Sequence, residues 1–169
     1  MRFTRVLLPV TAAMFTLPLA AVAADRGVNE IAGMASYSDI GTASTTNVEL
    51  SYGRYLTPQH EVGGTFGYTE TDIDELGSVD GTSLGAFYQF NFDSGEMMVP
   101  FIGVDIAYFG GDVGDAYDWG YGATAGLKLY PYDHVGVIMG VSYQQLLGAE
   151  DFIDDEDGFN VNVGLSLRF

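Results

Sequence analysis

Apolar residues alternate with polar or small ones from Phe159 to Phe169. Phe159, Val161, Val163, Leu165, Leu167 and Phe169 form one set, and Asn160, Asn162, Gly164, Ser166 and Arg168 the other. A period of two marks a strand with one apolar and one polar or small face. Seven earlier segments repeat it. The first runs roughly from Asn29 to Ser38, with Ile31, Gly33, Ala35 and Tyr37 as its apolar set. The next sets begin at Val48, Val62, Leu84, Pro100, Tyr121 and Val135. Eight alternating segments with no helical period restrict the chain to an all-β architecture.

The links between segments also alternate. Those after the second, fourth and sixth segments are short: Thr57 to His60, Asp93 to Met98, and Pro131 to His134. The other links are longer and rich in Gly, Ser, Thr and Asp. Short turns alternating with long loops over an even strand count describe an up-and-down membrane barrel. The expectation is a single eight-stranded antiparallel transmembrane barrel, with strands of about ten residues tilted roughly 45°. Short turns then lie on the periplasmic side and long loops outside.

A soluble sandwich or a lipocalin-like barrel shows the same alternation turned inside out. The polar faces argue against it, because Gly, Ser, Thr and Asn dominate them where a solvated sheet carries many Lys and Glu. Gly63, Gly67, Gly85, Gly103, Gly122 and Gly126 sit on that face, with Gly64 the exception. Small residues suit the narrow interior of an eight-stranded barrel. Aromatics form two bands: Tyr68, Tyr108, Trp119, Tyr121 and Tyr143 towards the long loops, and Phe90, Phe92, Tyr130, Tyr132 and Phe169 towards the short turns. Such bands are interfacial girdles.

The N-terminus supplies a reason for export. Arg2 and Arg5 precede an apolar stretch from Val6 to Ala24 that ends Ala21-Val22-Ala23-Ala24. This is the pattern of a cleaved signal peptide, residues 1–24, cut after Ala23 or Ala24. Residues 25–169 form the barrel domain. No cysteine is present, so neither a lipoprotein acylation site nor a disulfide framework exists. Cleavage removes two of the six basic residues and none of the 23 acidic ones, leaving a mature charge of −19. Such a surface repels phosphate backbones, which makes nucleic acid an unsuitable partner.

At this point a resemblance is visible. The ending Asn162-Val163-Gly164-Leu165-Ser166-Leu167-Arg168-Phe169 resembles the assembly signal of outer-membrane barrels, in Asn162, Gly164, Leu167 and Phe169, with Leu167 in place of the more usual aromatic. The pieces Val48 to Leu56, Val99 to Tyr108 and Ala125 to Pro131 resemble the small outer-membrane β-barrel domain family, which includes opacity-type and outer-membrane-protein-A-like barrels. The resemblance covers the mature chain, and the expectation is a barrel without a peptidoglycan-binding domain. It implies location in the cell outer membrane among lipids and lipopolysaccharide, and biogenesis through periplasmic chaperones and the barrel-assembly machinery. A monomer is expected. None of these motifs is specific for an activity.

Candidate chemistry is sparse. Lipid A enzymes of this size resemble esterases in needing a His with Ser and an acid at the outer leaflet. The two histidines, His60 and His134, both fall in short turns at the opposite end. No enzyme and no cofactor are therefore expected. The long loops hold most of the acids. Asp151, Asp154, Asp155 and Asp157 could ligate divalent cations. Ile153 and Gly164, however, stand where a calcium loop needs ligands, so a solvated acidic surface is the preferred reading. Glu49, Asp105, Lys128 and Arg168 fall on the inward face and need partners, since buried charge is normally paired. The functional expectation is a non-enzymatic envelope protein acting in structure or surface interaction through its acidic loops. The alternative is a narrow channel or transporter for small solutes or apolar molecules.

Overall fold

The computed structural model describes residues 26–40, 43–73, 77–92, 97–148 and 156–169. The predicted signal peptide and Asp151, Asp154 and Asp155 lie outside the described residues. The strands are β1 (Asn29–Ile40), β2 (Ala43–Tyr55), β3 (His60–Ile73), β4 (Gly77–Asn91), β5 (Met98–Gly111), β6 (Tyr117–Tyr132), β7 (Val135–Gly148) and β8 (Glu156–Arg168). One short helix, α1 (Asp112–Ala116), joins β5 to β6. Every strand pairs antiparallel with its chain neighbour, and β8 pairs with β1, which closes the barrel. Among the described residues no helix is long and apolar enough to cross a membrane.

The register sets the geometry. From Asn29 the ladder passes through Arg54, Val62, Tyr88, Val104, Ala123, Tyr143 and Phe159. The seam's register then returns it to the level of Asp39, a stagger of ten positions. Eight strands so staggered tilt by about 40° at ordinary strand spacing.

The apolar faces point outward. Leu50, Phe66, Leu84, Val104, Tyr121, Val141 and Val163 are all exposed, as are their neighbours two positions away along each strand except the half-buried Tyr143. An apolar belt around the whole circumference has no place in water and suits a bilayer. The inside-out soluble alternative is thereby removed. Trp119 stacks edge-on against Tyr108 at the long-hairpin rim, and Phe92 against Phe90 at the short-turn rim.

Two sequence expectations are corrected. Strands run 12 to 16 residues, not about ten, because the long links are mainly ladder. Only positions 41–42 separate β1 from β2, and only 74–76 separate β3 from β4. Thr45 bonds Thr71 at 3.1 Å, and Asn47 donates to Thr69 at 3.0 Å, in the continued β2–β3 pairing. Thr extends strands well, but polar residues on both faces leave no alternation to detect. The second correction is Tyr130, which belongs to the interior and not to the girdle. It lies in phase with Lys128 and Gly126, on the face opposite Leu127 and Leu129.

The interior is fitted by pairing aromatics with glycines. Phe101 lies opposite Gly126, and Phe87 opposite Gly63. A Cβ on Gly126 would stand 2.6 Å from Phe101 Cζ and 2.5 Å from the Met139 carbonyl oxygen. The ring occupies the space the missing side chain leaves.

Candidate functional site

The short-turn end of the bore is closed by a charged cluster drawn from five strands. Glu30 follows the start of β1, Tyr55 ends β2, Glu61 follows the start of β3, Lys128 and Tyr130 lie near the end of β6, and Arg168 ends β8. All face inward. Lys128 and Glu61 are each 2% exposed, Glu30 3% and Arg168 4%.

Lys128 sits at the centre. Its Nζ lies 2.8 Å from Glu30 Oε1 and 2.8 Å from Glu61 Oε2, and it donates to Tyr55 OH at 3.3 Å. Since β6 stands across the barrel from β1 and β3, this one side chain spans the bore. Arg168 Nε bonds Glu30 Oε2 at 2.9 Å, and its Nη2 donates to Tyr55 OH at 2.6 Å. Its guanidinium lies 3.5 Å from the centroid of the Tyr130 ring, a close cation–π contact. Tyr130 in turn donates to Glu30 Oε2 at 2.6 Å. Gln89 donates to Glu61 at 3.1 Å and to Asn91 at 2.7 Å. Two cations balance two carboxylates, which is what burial requires. Among buried side-chain atoms of the described residues, only Arg168 Nη1 lacks a partner.

Above the cluster, Ala32, Phe101 and Ile138 form a small apolar layer with Met34 packed on it. Glu49 and Asp105 lie beyond that layer, towards the long hairpins. Among the described residues neither forms a salt bridge, and Gly122 opposite Asp105 leaves room for its carboxylate.

The four interior charges named from sequence therefore separate. Lys128 and Arg168 join one cluster, while Glu49 and Asp105 stand apart from it. Sequence reading missed the partners, Glu30 and Glu61. Both sit at strand starts, where an acid reads as part of a turn. Strand phase could have found them: Glu30 is in step with Ala32 and Met34, and Glu61 with Gly63 and Thr65. Strand tilt decides the rest, since it brings the late part of β6 level with the first residues of β1 and β3.

The remaining candidates are dispersed. His60 begins β3 and its Nδ1 bonds Tyr88 OH at 2.7 Å; His134 lies in the β6–β7 turn with Nδ1 3.2 Å from the Arg168 carbonyl oxygen. Asp157 is exposed on β8, and no group of three or more acids, histidines or cysteines suited to a metal ion occurs among the described residues. Of the assembly-signal positions, Leu167 and Phe169 are exposed on the outer face. Asn162 and Gly164 lie on the inner one, with Asn162 donating to Ser142 at 3.1 Å.

No sequence family and no curated protein matches the chain. Solved structures do. Neisserial surface protein A aligns with a TM-score of 0.62 at 16% identity, covering 84% of this chain and 96% of its own. The N-terminal β-barrel domain of OprF from Pseudomonas aeruginosa aligns at 0.56 and 15%, covering 85% and 98%. The Yersinia pestis outer-membrane protein Ail, solved in a phospholipid bilayer nanodisc, aligns at 0.53 and 15%, covering 85% and 100%. At these identities the likeness is one of fold. The chain has the fold of the eight-stranded outer-membrane barrels.

Proposed function

We propose that this chain is a non-enzymatic outer-membrane protein. In this reading the barrel anchors four outward hairpins, and their acidic surface serves envelope structure or surface interaction. The charged cluster carries the proposal. Lys128 crosses the bore between Glu30 and Glu61, and Arg168 and Tyr130 pack beside it with almost no exposure. A bore closed by neutralised, hydrogen-bonded charge is a structural core and not a conduit. The apolar belt supplies the membrane reading, with the short-turn end towards the periplasm. Both histidines lie at that end, far from the hairpin rim where an outer-leaflet esterase needs its base.

Planar-bilayer conductance of the refolded chain tests this, with and without calcium. The expected result is a silent membrane in both conditions. Stable unitary openings would replace the structural reading with a narrow channel, in which Glu49 and Asp105 would favour cations.

A further inference from the structure

Basic residues are scarce outside the predicted signal peptide: Arg26, Arg54, Lys128 and Arg168. Lys128 and Arg168 are sealed in the charged cluster. Arg26 and Arg54 are exposed at the same short-turn end. Arg54 lies on the outward face of β2, out of phase with the buried Gly53 and Tyr55. Among the described residues it forms no ion pair, with a side chain or with the terminal carboxylate of Phe169. The described side-chain carboxylates at this end are Glu30 and Glu61, both buried in the cluster, and Asp133 in the β6–β7 turn, across the ring from β2. The net charge of −17 therefore does not describe this patch, because the exposed acids gather at the other end.

The wall beside Arg54 is indented. Gly64 is the one outward glycine of β3, and its ladder partner on β4 is Ala86. Internal packing does not require it. A Cβ on Gly64 would meet only the Gly85 carbonyl oxygen, at 3.5 Å, whereas one on the inward Gly63 would stand 2.5 Å from the Phe87 ring. Tyr52 and Ile106 flank the Gly64–Ala86 pair in its row, and Phe66 and Leu84 stand in the row above, all four exposed. Two small residues among large ones leave a depression in the apolar belt. The row below, about 7 Å nearer the short turns, runs Arg54, Val62, Tyr88. Tyr52 donates to Asn29 Oδ1 at 3.0 Å, and Asn29 is the ladder partner of Arg54.

We propose that Arg54 and the Gly64–Ala86 depression together seat one anionic phospholipid of the leaflet on the short-turn side. The guanidinium takes the phosphate and one acyl chain lies in the depression. The inference rests on the outer-membrane reading, which puts this row at the periplasmic edge of the hydrocarbon. A guanidinium matches phosphate oxygens with two parallel donors. An unpaired one facing a bilayer is complementary to an anionic headgroup. The order of the rows is that of the lipid: the cation stands at the rim and the depression one row deeper. Ala123 and Ala125 on β6 are also small and outward, but Leu127 and Leu129 lie below them and no cation does.

The test is native mass spectrometry of the refolded full chain, released from nonionic detergent micelles after titration with dioleoylphosphatidylglycerol or dioleoylphosphatidylcholine. One retained phosphatidylglycerol per barrel is expected, and weaker retention of the charge-neutral phosphatidylcholine. Arg54→Gln should weaken phosphatidylglycerol binding by about tenfold or more, since a charge-assisted pair is lost. Gly64→Leu fills the depression and should weaken it too, while Ala123→Leu leaves it unchanged. Heat-modifiable migration in detergent checks that each variant is folded. Equal retention of the two lipids, or unchanged binding by folded Arg54→Gln, would overturn the proposal. So would displacement by glycerol 3-phosphate that is the same with and without Gly64→Leu, which would leave an arginine that binds free phosphate. Orientation is read separately from Gln59→Cys in the adjoining turn, the only cysteine of that variant. A bulky, membrane-impermeant maleimide should not label it in intact cells. Labelling would refute the periplasmic placement while the lipid seat stands; loss of lipid selectivity without labelling would refute the seat alone.

Discussion

At the residue scale the interior depends on a few contacts that tolerate little change. Lys128 holds Glu30 and Glu61 together in a site from which water is excluded. Lys128→Met keeps the volume and removes the charge, leaving two buried carboxylates to share Arg168. Breaking a buried pair in this way costs about 3–5 kcal/mol. Urea unfolding in micelles should show a midpoint lowered accordingly, whereas the exposed Arg54→Met should move it little. Gly126 makes a steric prediction. Gly126→Val drives side-chain atoms into the Phe101 ring and the Met139 carbonyl. Overpacking costs about 1–3 kcal/mol. The double variant with Phe101→Ala should recover only part of it, because the carbonyl clash remains. Full recovery would show that the ring alone requires the glycine.

At the element scale β8 does two things at once. Its outward face, Phe159 to Phe169, belongs to the apolar belt, and its lower part closes the barrel against β1. Val163→Arg puts a charge on the lipid face and should cost ~2–4 kcal/mol near the midplane, read as a shift in the unfolding midpoint in lipid vesicles. Phe169 is tied to Asn29 by a pair of backbone bonds, 2.9 Å and 3.0 Å. Its deletion removes both bonds and the last belt residue. Outer-membrane levels should fall, with the chain found in the periplasm or degraded; normal levels would mean that Phe169 is dispensable for insertion. The other strands divide into a belt segment and a hairpin segment. The belt was readable because one face is apolar. In the hairpins, Thr69, Thr71 and Asp72 sit in a ladder that no contrast between faces announces.

At the scale of the whole molecule, closure and the apolar belt together predict a protein that needs detergent and resists it. Purified protein should give a β-sheet circular dichroism spectrum, and unheated samples should migrate differently from boiled ones in detergent gels. A compact, detergent-free soluble monomer would contradict the outward belt. Much of this was legible along the chain. Alternation is a local property set by the geometry of a single strand, so the eight strands, their faces and their order could be read directly from residues such as Leu165 and Ser166. The inward glycines were readable for the same reason. Which interior residues meet was not readable, because it depends on the ten-position stagger that accumulates around the barrel. That stagger, and not spacing in the sequence, sets Lys128 beside Glu30 and Glu61 and leaves Glu49 and Asp105 on another level. The β1–β8 seam is a tertiary matter too: each strand is complete in its own hairpin, and only closure of the ring sets Glu30 opposite Arg168 and Ala35 opposite Val163.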